Sequence, residues 1–249
     1  MSILYNVIER AALLSEASKL IEPTVMPAAD PVLGFPPEIV YRWNTFGKKH
    51  GRLVEDVMTK VIQAHSGWAP ASQTRFNCDT DKTKKLIDRI AINRQNGVAI
   101  FIECKRNLGN VSGPYLSSLN TYNEWCESKA FDIAKEIGFN PHQSLVRFVI
   151  FNAYGSEDDS RNVKGIPVLL PKDLPSVFGL PVLEAFEELN RVVQSAVLEN
   201  EAFRNFSGFM EPPSTDLLTT EEVSQIATEE TSEQFRRRVS QTLDHLASR

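Results

Sequence analysis

The stretch LIDRIAINRQNGVAIFIECK, residues 86–105, decides how this chain reads. Two apolar, β-branched runs, Leu86 to Ile92 and Val98 to Cys104, are separated by Arg-Gln-Asn-Gly. The Asn96-Gly97 pair is the strongest short hairpin signal, because Asn and Gly accept the positive φ that a tight hairpin turn demands. Two antiparallel strands are therefore expected, and both are apolar enough to be central in a sheet. Within this hairpin stand two carboxylates and an ammonium: Asp88, Glu103 and Lys105.

Their faces follow from parity. With Asn96-Gly97 as a two-residue turn, Gln95 faces Val98, Asp88 faces Lys105 and Ile90 faces Glu103. Cross-strand partners share a face, and so do alternate residues along a strand, so Asp88, Glu103 and Lys105 project the same way. Any loop with an even number of residues gives that result, whereas a three-residue loop sends Asp88 to the opposite side. Two carboxylates and an ammonium are expensive to bury unless something pairs them, and a divalent cation between the carboxylates does so. Oxygen-only donors favour Mg²⁺, with Mn²⁺ as a substitute, over zinc, and leave coordination positions for water and a substrate phosphate. Such an ion polarises a phosphoryl oxygen and acidifies a bound water, while Lys105 orients that water or offsets developing charge. Phosphodiester hydrolysis is the reaction class that this set of side chains suits.

Working outward, a helix is expected from about Gly51, where Leu53, Val54, Val57, Met58, Val61 and Ile62 paint one apolar face. Glu55 lies at the edge of that stripe, where a carboxylate can look into a cleft while its helix stays anchored, and Asp56 lies well away from it. Downstream, Pro114 opens a helical pattern that runs to about Ile137 and ends at Gly138, and Leu145 to Ala153 reads as an apolar strand. Strand, helix, strand implies a parallel crossover, so the expected core is a mixed β-sheet flanked by helices, of α/β class. Residues 2–21 carry apolar positions at helical spacing, Ile166 to Leu170 suggests a short strand, and Pro181 to about Phe206 reads as a helix. Residues 211–233 hold seven acids and no Lys or Arg and read as a solvated connection. A C-terminal helix over 234–249, bearing Phe235, Val239, Leu243 and Leu246 on one side, suits a cap on the core or a partner contact. The domain division expected is 1–210, 211–233 and 234–249.

The hairpin string resembles the core of the PD-(D/E)xK nuclease superfamily, the restriction-endonuclease-like fold. In that superfamily an Asp on the first strand, an acid and a Lys two residues apart on the second, and often a Glu on a preceding helix build a metal-dependent site. The resemblance covers roughly residues 51–153 and implies catalytic roles for Asp88, Glu103, Lys105 and Glu55, with Asp88, Glu103 and the backbone carbonyl of Cys104 as metal ligands. Ile87 stands where the motif name has Pro, a departure the superfamily often tolerates. A second Glu-x-Lys, Glu127 and Lys129, falls in the expected helix, where residues two apart do not face each other.

The chain has 249 residues, 27 Lys or Arg against 32 Asp or Glu, and a formal charge of −5. At 42% hydrophobic and 24% charged it is an ordinary globular composition, neither fibrous nor disordered. The total charge argues against a nucleic-acid partner, but its distribution does not. Lys48 to Arg106 holds 12 Lys or Arg against 6 Asp or Glu, a balance of +6 that leaves −11 for the remainder. Lys48, Lys49 and Arg52 flank the Glu55 helix, Lys82, Lys84 and Lys85 lead into Asp88, and Arg106 follows Lys105. Basic residues that bracket a metal site are what contact with a phosphate backbone requires. His50, His65, His142 and His245 show no metal spacing; Tyr41, Trp43 and Phe46 read as core, and Arg236, Arg237 and Arg238 as a solvated helix face.

The expectation is a Mg²⁺-dependent endonuclease acting on double-stranded DNA, of type II restriction kind, with a homodimer implied by symmetric cleavage. Residues 107–115 and 154–165 are the loop candidates for base contacts. The alternatives are a structure-specific repair or recombination nuclease of the same superfamily and a non-catalytic DNA-binding module. Three cysteines, Cys78, Cys104 and Cys126, at spacings matching no zinc or disulfide pattern, suggest a reducing compartment. The absence of signal-peptide features or an apolar run of spanning length suggests a cytoplasmic protein without a membrane partner.

Overall fold

The computed structural model describes residues 51–52, 54–56, 58–59, 62, 67–71, 75–76, 85–111, 113–155, 163, 165–178 and 230–248. The expected helices over 2–21 and 181–206, Tyr41, Trp43 and Phe46, and most of the acidic connection lie outside these residues.

Residues 51, 52, 54–56, 58, 59 and 62 are helical and are called α1. The strands are β1 (Ala69–Ala71), β2 (Arg75–Phe76), β3 (Lys85–Leu86), β4 (Arg89–Asn93) and β5 (Val98–Lys105). Helices α2 (Gly113–Ser128) and α3 (Ala130–Glu136) follow, then β6 (Leu145–Asn152), β7 (Val168–Leu169), α4 (Leu174–Phe178) and α5 (Ser232–Ala247). Among the described residues, five strands form one sheet in the order β1-β4-β5-β6-β7, and β2 and β3 pair separately. The β1-β4 and β4-β5 pairs are antiparallel, whereas β5-β6 and β6-β7 are parallel. This is a mixed sheet flanked by helices, an α/β protein, with the expected hairpin and crossover, but the first hairpin strand begins at Arg89 and not at Leu86, which pairs with Arg75 in the separate ladder and leaves Asp88 in a bend between the two.

The turn differs from expectation. Asn93 pairs with Val98 and Ile90 with Phe101, so four residues, 94–97, close the hairpin in place of two. Continued outward, that register sets Asp88 opposite Glu103 and corrects the pairings Asp88 with Lys105 and Ile90 with Glu103. Glu103 and Lys105 keep their shared face by strand alternation, whereas Asp88, in a bend beyond the end of the ladder, is brought beside them by the hydrogen bond that its carboxylate accepts from the Cys104 amide. The longer turn has identifiable causes. The buried Asn93 side chain accepts a hydrogen bond from the Asn96 amide at 3.0 Å, closing a local ring that a two-residue turn lacks. Gly97, at φ +66°, gives its carbonyl to the Leu145 amide at 2.9 Å, which ties the turn to the start of β6.

Every residue of β5 from Val98 to Cys104 is buried, as a strand covered on both faces must be. Val98, Ile100, Ile102 and Cys104 point to one side, where Val54, Met58 and Ile62 of α1 and Val239, Leu243 and Leu246 of α5 cover them. Ala99 and Phe101 point to the other, against Leu119, Trp125 and Cys126 of α2 and Ile133 and Ala134 of α3. The expected single helix to Ile137 is thus two, divided at Lys129, and Gly138 at φ +82° ends the second. Thr231 caps α5 by accepting from the Gln234 amide, and the helix lies on the sheet through its apolar stripe. Cys104 and Cys126 are free and buried. Among the described residues no helix is long and apolar enough to cross a membrane.

Candidate active site

The site stands where β5 and β6 end, at the carboxyl edge of the parallel pair, a place where α/β sheets commonly bind ligands. Glu103 is the first polar residue of β5, on the α2 face of the sheet, only 3% exposed. Lys105 lies two residues on and shares its face. Asp88 sits in a bend just before β4, and its Oδ2 accepts a hydrogen bond from the Cys104 amide at 2.9 Å. A side chain thus takes an N–H beyond the end of the β4 ladder, which fixes Asp88 beside Glu103.

The Lys105 ammonium donates to Glu103 Oε1 at 2.8 Å and to the Cys104 carbonyl at 3.2 Å, and lies 4.0 Å from Asp88 Oδ2. The same three groups that the sequence reading assigned to a metal therefore converge on one cation. Tyr115, in the first turn of α2, also donates its hydroxyl to Glu103 Oε1, and the Lys105 ammonium lies 4.8 Å from the centre of its ring. Glu103 Oε2 is buried and has no hydrogen-bond partner. A carboxyl oxygen sealed from water without a donor is costly, and a bound cation would supply the missing partner.

Electrostatics match this geometry. Burial, then the neighbouring Glu103, pushes the Asp88 carboxyl up to about 7, with Lys105 and the Cys104 amide opposing. Burial works against the Lys105 ammonium, but its contacts with Glu103 outweigh that, and its pKa is raised. Burial followed by Glu103 raises the Tyr115 phenol, which stays a donor. The Cys104 thiol lies on the opposite face of the sheet and is pushed well up by burial and then by Asp88, so the carbonyl is its only contribution here.

Glu55 is brought near without joining the three. Its Oε2 pairs with Arg89 at 3.2 Å. Burial raises its pKa and Arg89 opposes; Lys105 and Glu103 also act on it. Arg89 ties this corner together, donating to the Glu55 carbonyl, Thr59 Oγ1, Asp56 Oδ1 and the Asp88 carbonyl. Asp56, placed well away from the apolar stripe, is 67% exposed on its side chain. Among the described residues no group of three or more His, Cys, Asp or Glu side chains could hold a metal ion. An ion bound here would have two carboxylates and a main-chain carbonyl as donors, a set that would suit Mg²⁺ because that ion keeps several waters.

Of the basic residues singled out, Arg52 is exposed on α1 and Arg106 is exposed just after Lys105. Lys85 lies in β3, and Lys48, Lys49, Lys82 and Lys84 lie outside the described residues. The Arg236–Arg238 run is not a uniformly solvated face. Arg236 donates to the Asn96 carbonyl at 2.9 Å, and Arg238 to Glu230 and to the Ser176 carbonyl; Arg237 alone is largely exposed, pairing with Glu233. Two site residues escaped the sequence reading. Arg89 was hidden because parity sends it to the α1 face, and Tyr115 because it reaches Glu103 only through the docking of α2. The signal for Tyr115 was its place one residue after Pro114, in the first turn of a helix that leaves the site strand. Asn152, fully buried on β6 beside Lys105, accepts from the Leu108 amide at 2.9 Å and holds the chain as it leaves the site.

No protein-family model matches the chain, and no curated protein or solved structure is detectably similar to it. What fold and site define is therefore a class, an α/β protein with a buried acid–lysine cluster at the carboxyl edge of its sheet.

Proposed function

We propose that this protein is a Mg²⁺-dependent DNA endonuclease of restriction-endonuclease-like fold, acting as a type II restriction enzyme on a short specific sequence in double-stranded DNA. The observation that carries the reading is the convergence of Asp88, Glu103 and the Cys104 carbonyl on the Lys105 ammonium, with Glu103 Oε2 buried and unpartnered.

Asp88, Glu103 and the Cys104 carbonyl would hold the ion, which when bound supplies Lewis-acid activation of the scissile phosphate and of a water. The residues of the chain do the rest. Lys105 stays protonated and offers a donor to a phosphate oxygen, where charge builds as the phosphodiester is attacked. The apolar walls given by Ile87, Phe101 and Ile150 keep bulk water from the buried side of the cluster, which strengthens each electrostatic contact. Arg89 neutralises Glu55, so the corner does not collect three uncompensated carboxylates. Exposed Arg52 and Arg106 are suited to the DNA backbone.

The deciding experiment is digestion of a plasmid of known sequence with Mg²⁺, followed by sequencing of the cut ends. Discrete fragments with constant ends are expected. Nicking confined to junctions or flaps would replace restriction by repair, and no hydrolysis of any DNA or RNA would leave a non-catalytic binding module. Lys105→Ala should retain DNA binding and lose cleavage; undiminished cleavage would sink the site assignment.

A further inference from the structure

Glu103 presents two oxygens in unequal circumstances. Oε1 accepts twice, from the Tyr115 hydroxyl and from the Lys105 ammonium, while Oε2 is buried with no donor. A carboxylate held only by a lysine is free to turn and offer either oxygen to that ammonium, which is a compact charge with no fixed fork. Here a second donor on Oε1 opposes the turn. That donor is tied down in its own right, since α2 packs on the sheet through Leu119, Trp125 and Cys126. Tyr115 itself is only half-buried and packs at the margin of that cluster.

We propose that Tyr115 is a positioning residue for Glu103, its hydroxyl holding Oε1 so that Oε2 is the oxygen presented to the metal. The proposal rests on the nuclease reading above, because it is an ion that gives Oε2 a partner there. Tyr115 touches neither the phosphate nor the ion; it acts through Glu103 and denies Oε2 to Lys105. Outer-shell donors of this kind orient a ligand, and their loss typically costs about 10–100-fold in metal affinity.

The test is Mn²⁺ binding to the full chain without DNA, followed by the electron paramagnetic resonance signal of the free ion. Wild type, Glu103→Gln, Tyr115→Phe and Tyr115→Leu are compared, each checked by its thermal melting. Tyr115→Phe keeps the ring, and with it the packing and the platform for Lys105, and loses only the hydroxyl. We expect it to melt with wild type and to bind Mn²⁺ about 10–100-fold more weakly, with Tyr115→Leu no better. A residue that merely packs gives the reverse pattern, Tyr115→Phe equal to wild type and Tyr115→Leu unstable. Mn²⁺ binding that depends on Glu103 but is unchanged in Tyr115→Phe overturns the role of Tyr115 and leaves the metal site standing. Failure of wild type to bind, or equal binding by Glu103→Gln, overturns the metal reading and the inference with it.

Discussion

The two ends of the β4-β5 hairpin are both polar and are finished differently. At the turn, the polar groups are closed off by the protein. Asn93 Oδ1 takes the Asn96 amide, the Asn96 carbonyl takes Arg236, the Gly97 carbonyl takes the Leu145 amide and the Gln95 carbonyl takes Ser232. At the opposite end, two carboxylates crowd one ammonium, one of them is held partly protonated near neutrality, and Glu103 Oε2 has nothing. Helix α5 reaches the turn through Ser232 and Arg236, although Arg94 and Gln95 stay exposed, and α2 reaches the acids through Tyr115. The difference lies in satisfaction: the turn's carbonyls find donors within the chain, whereas Glu103 Oε2 is buried without one, which makes the acid end the candidate for a partner that is not the chain.

The comparison predicts that the two ends fail in different ways. The largest effect falls at the acid end, where Glu103→Gln should lower Mg²⁺-dependent cleavage by on the order of 10³-fold while the melting temperature holds or rises. Steady-state cleavage rates beside melting curves measure both; a loss of activity that tracks a loss of fold would make this end as structural as the other.

Next is Asp88→Asn, which keeps an oxygen for the Cys104 amide and removes the charge. The folded carboxyl titrates at about 7 against an unfolded value of 3.8. Below pH 4 both states hold the proton and nothing changes. Between pH 4 and 7 the folded protein keeps a proton that the unfolded chain has released, so this group subtracts stability progressively as pH rises. The Asn variant lacks that loss and should gain on the metal-free wild type across this window, by on the order of 2–4 kcal/mol at pH 7 and above. Denaturant midpoints at pH 4 and pH 8 decide it, and an equal difference at the two values would refute the shift.

At the turn the effects are on stability alone. Gly97→Ala must adopt a left-handed φ and brings its Cβ to 2.9 Å from the Gln143 carbonyl, so a loss of about 2 kcal/mol or more is expected with cleavage unchanged per folded molecule. Smallest is Arg236→Ala, which removes one partly buried hydrogen bond to the Asn96 carbonyl and should cost about 1 kcal/mol or less. A strong activity defect in either variant would mean that the two ends are coupled through the strands.

Much of this was legible in residues 86–105. The apolar runs identified the strands because a strand covered on both faces must be continuously hydrophobic, as β5 is from Val98 to Ile102. The shared face of Glu103 and Lys105 followed from a period of two whatever the length of the turn; Asp88 joins them from a bend before β4, through the bond from the Cys104 amide. The register did not follow. Asn-Gly is compatible with more than one loop length, and the choice was made by the Asn93 side chain and by the bond from Gly97 to β6, the second of which joins residues far apart in the chain.

The chain by itself therefore determined that Glu103 and Lys105 would share one side of a central hairpin, because side-chain direction in a strand is a local property of the backbone. Only the tertiary structure decided which oxygens meet which donors. That Tyr115 clasps Glu103, that Arg89 takes Glu55 out of the cluster and that Oε2 is left over all depend on how α1 and α2 dock on the sheet. Docking is settled by the packing of side chains drawn from the whole chain, and no spacing within one segment encodes it.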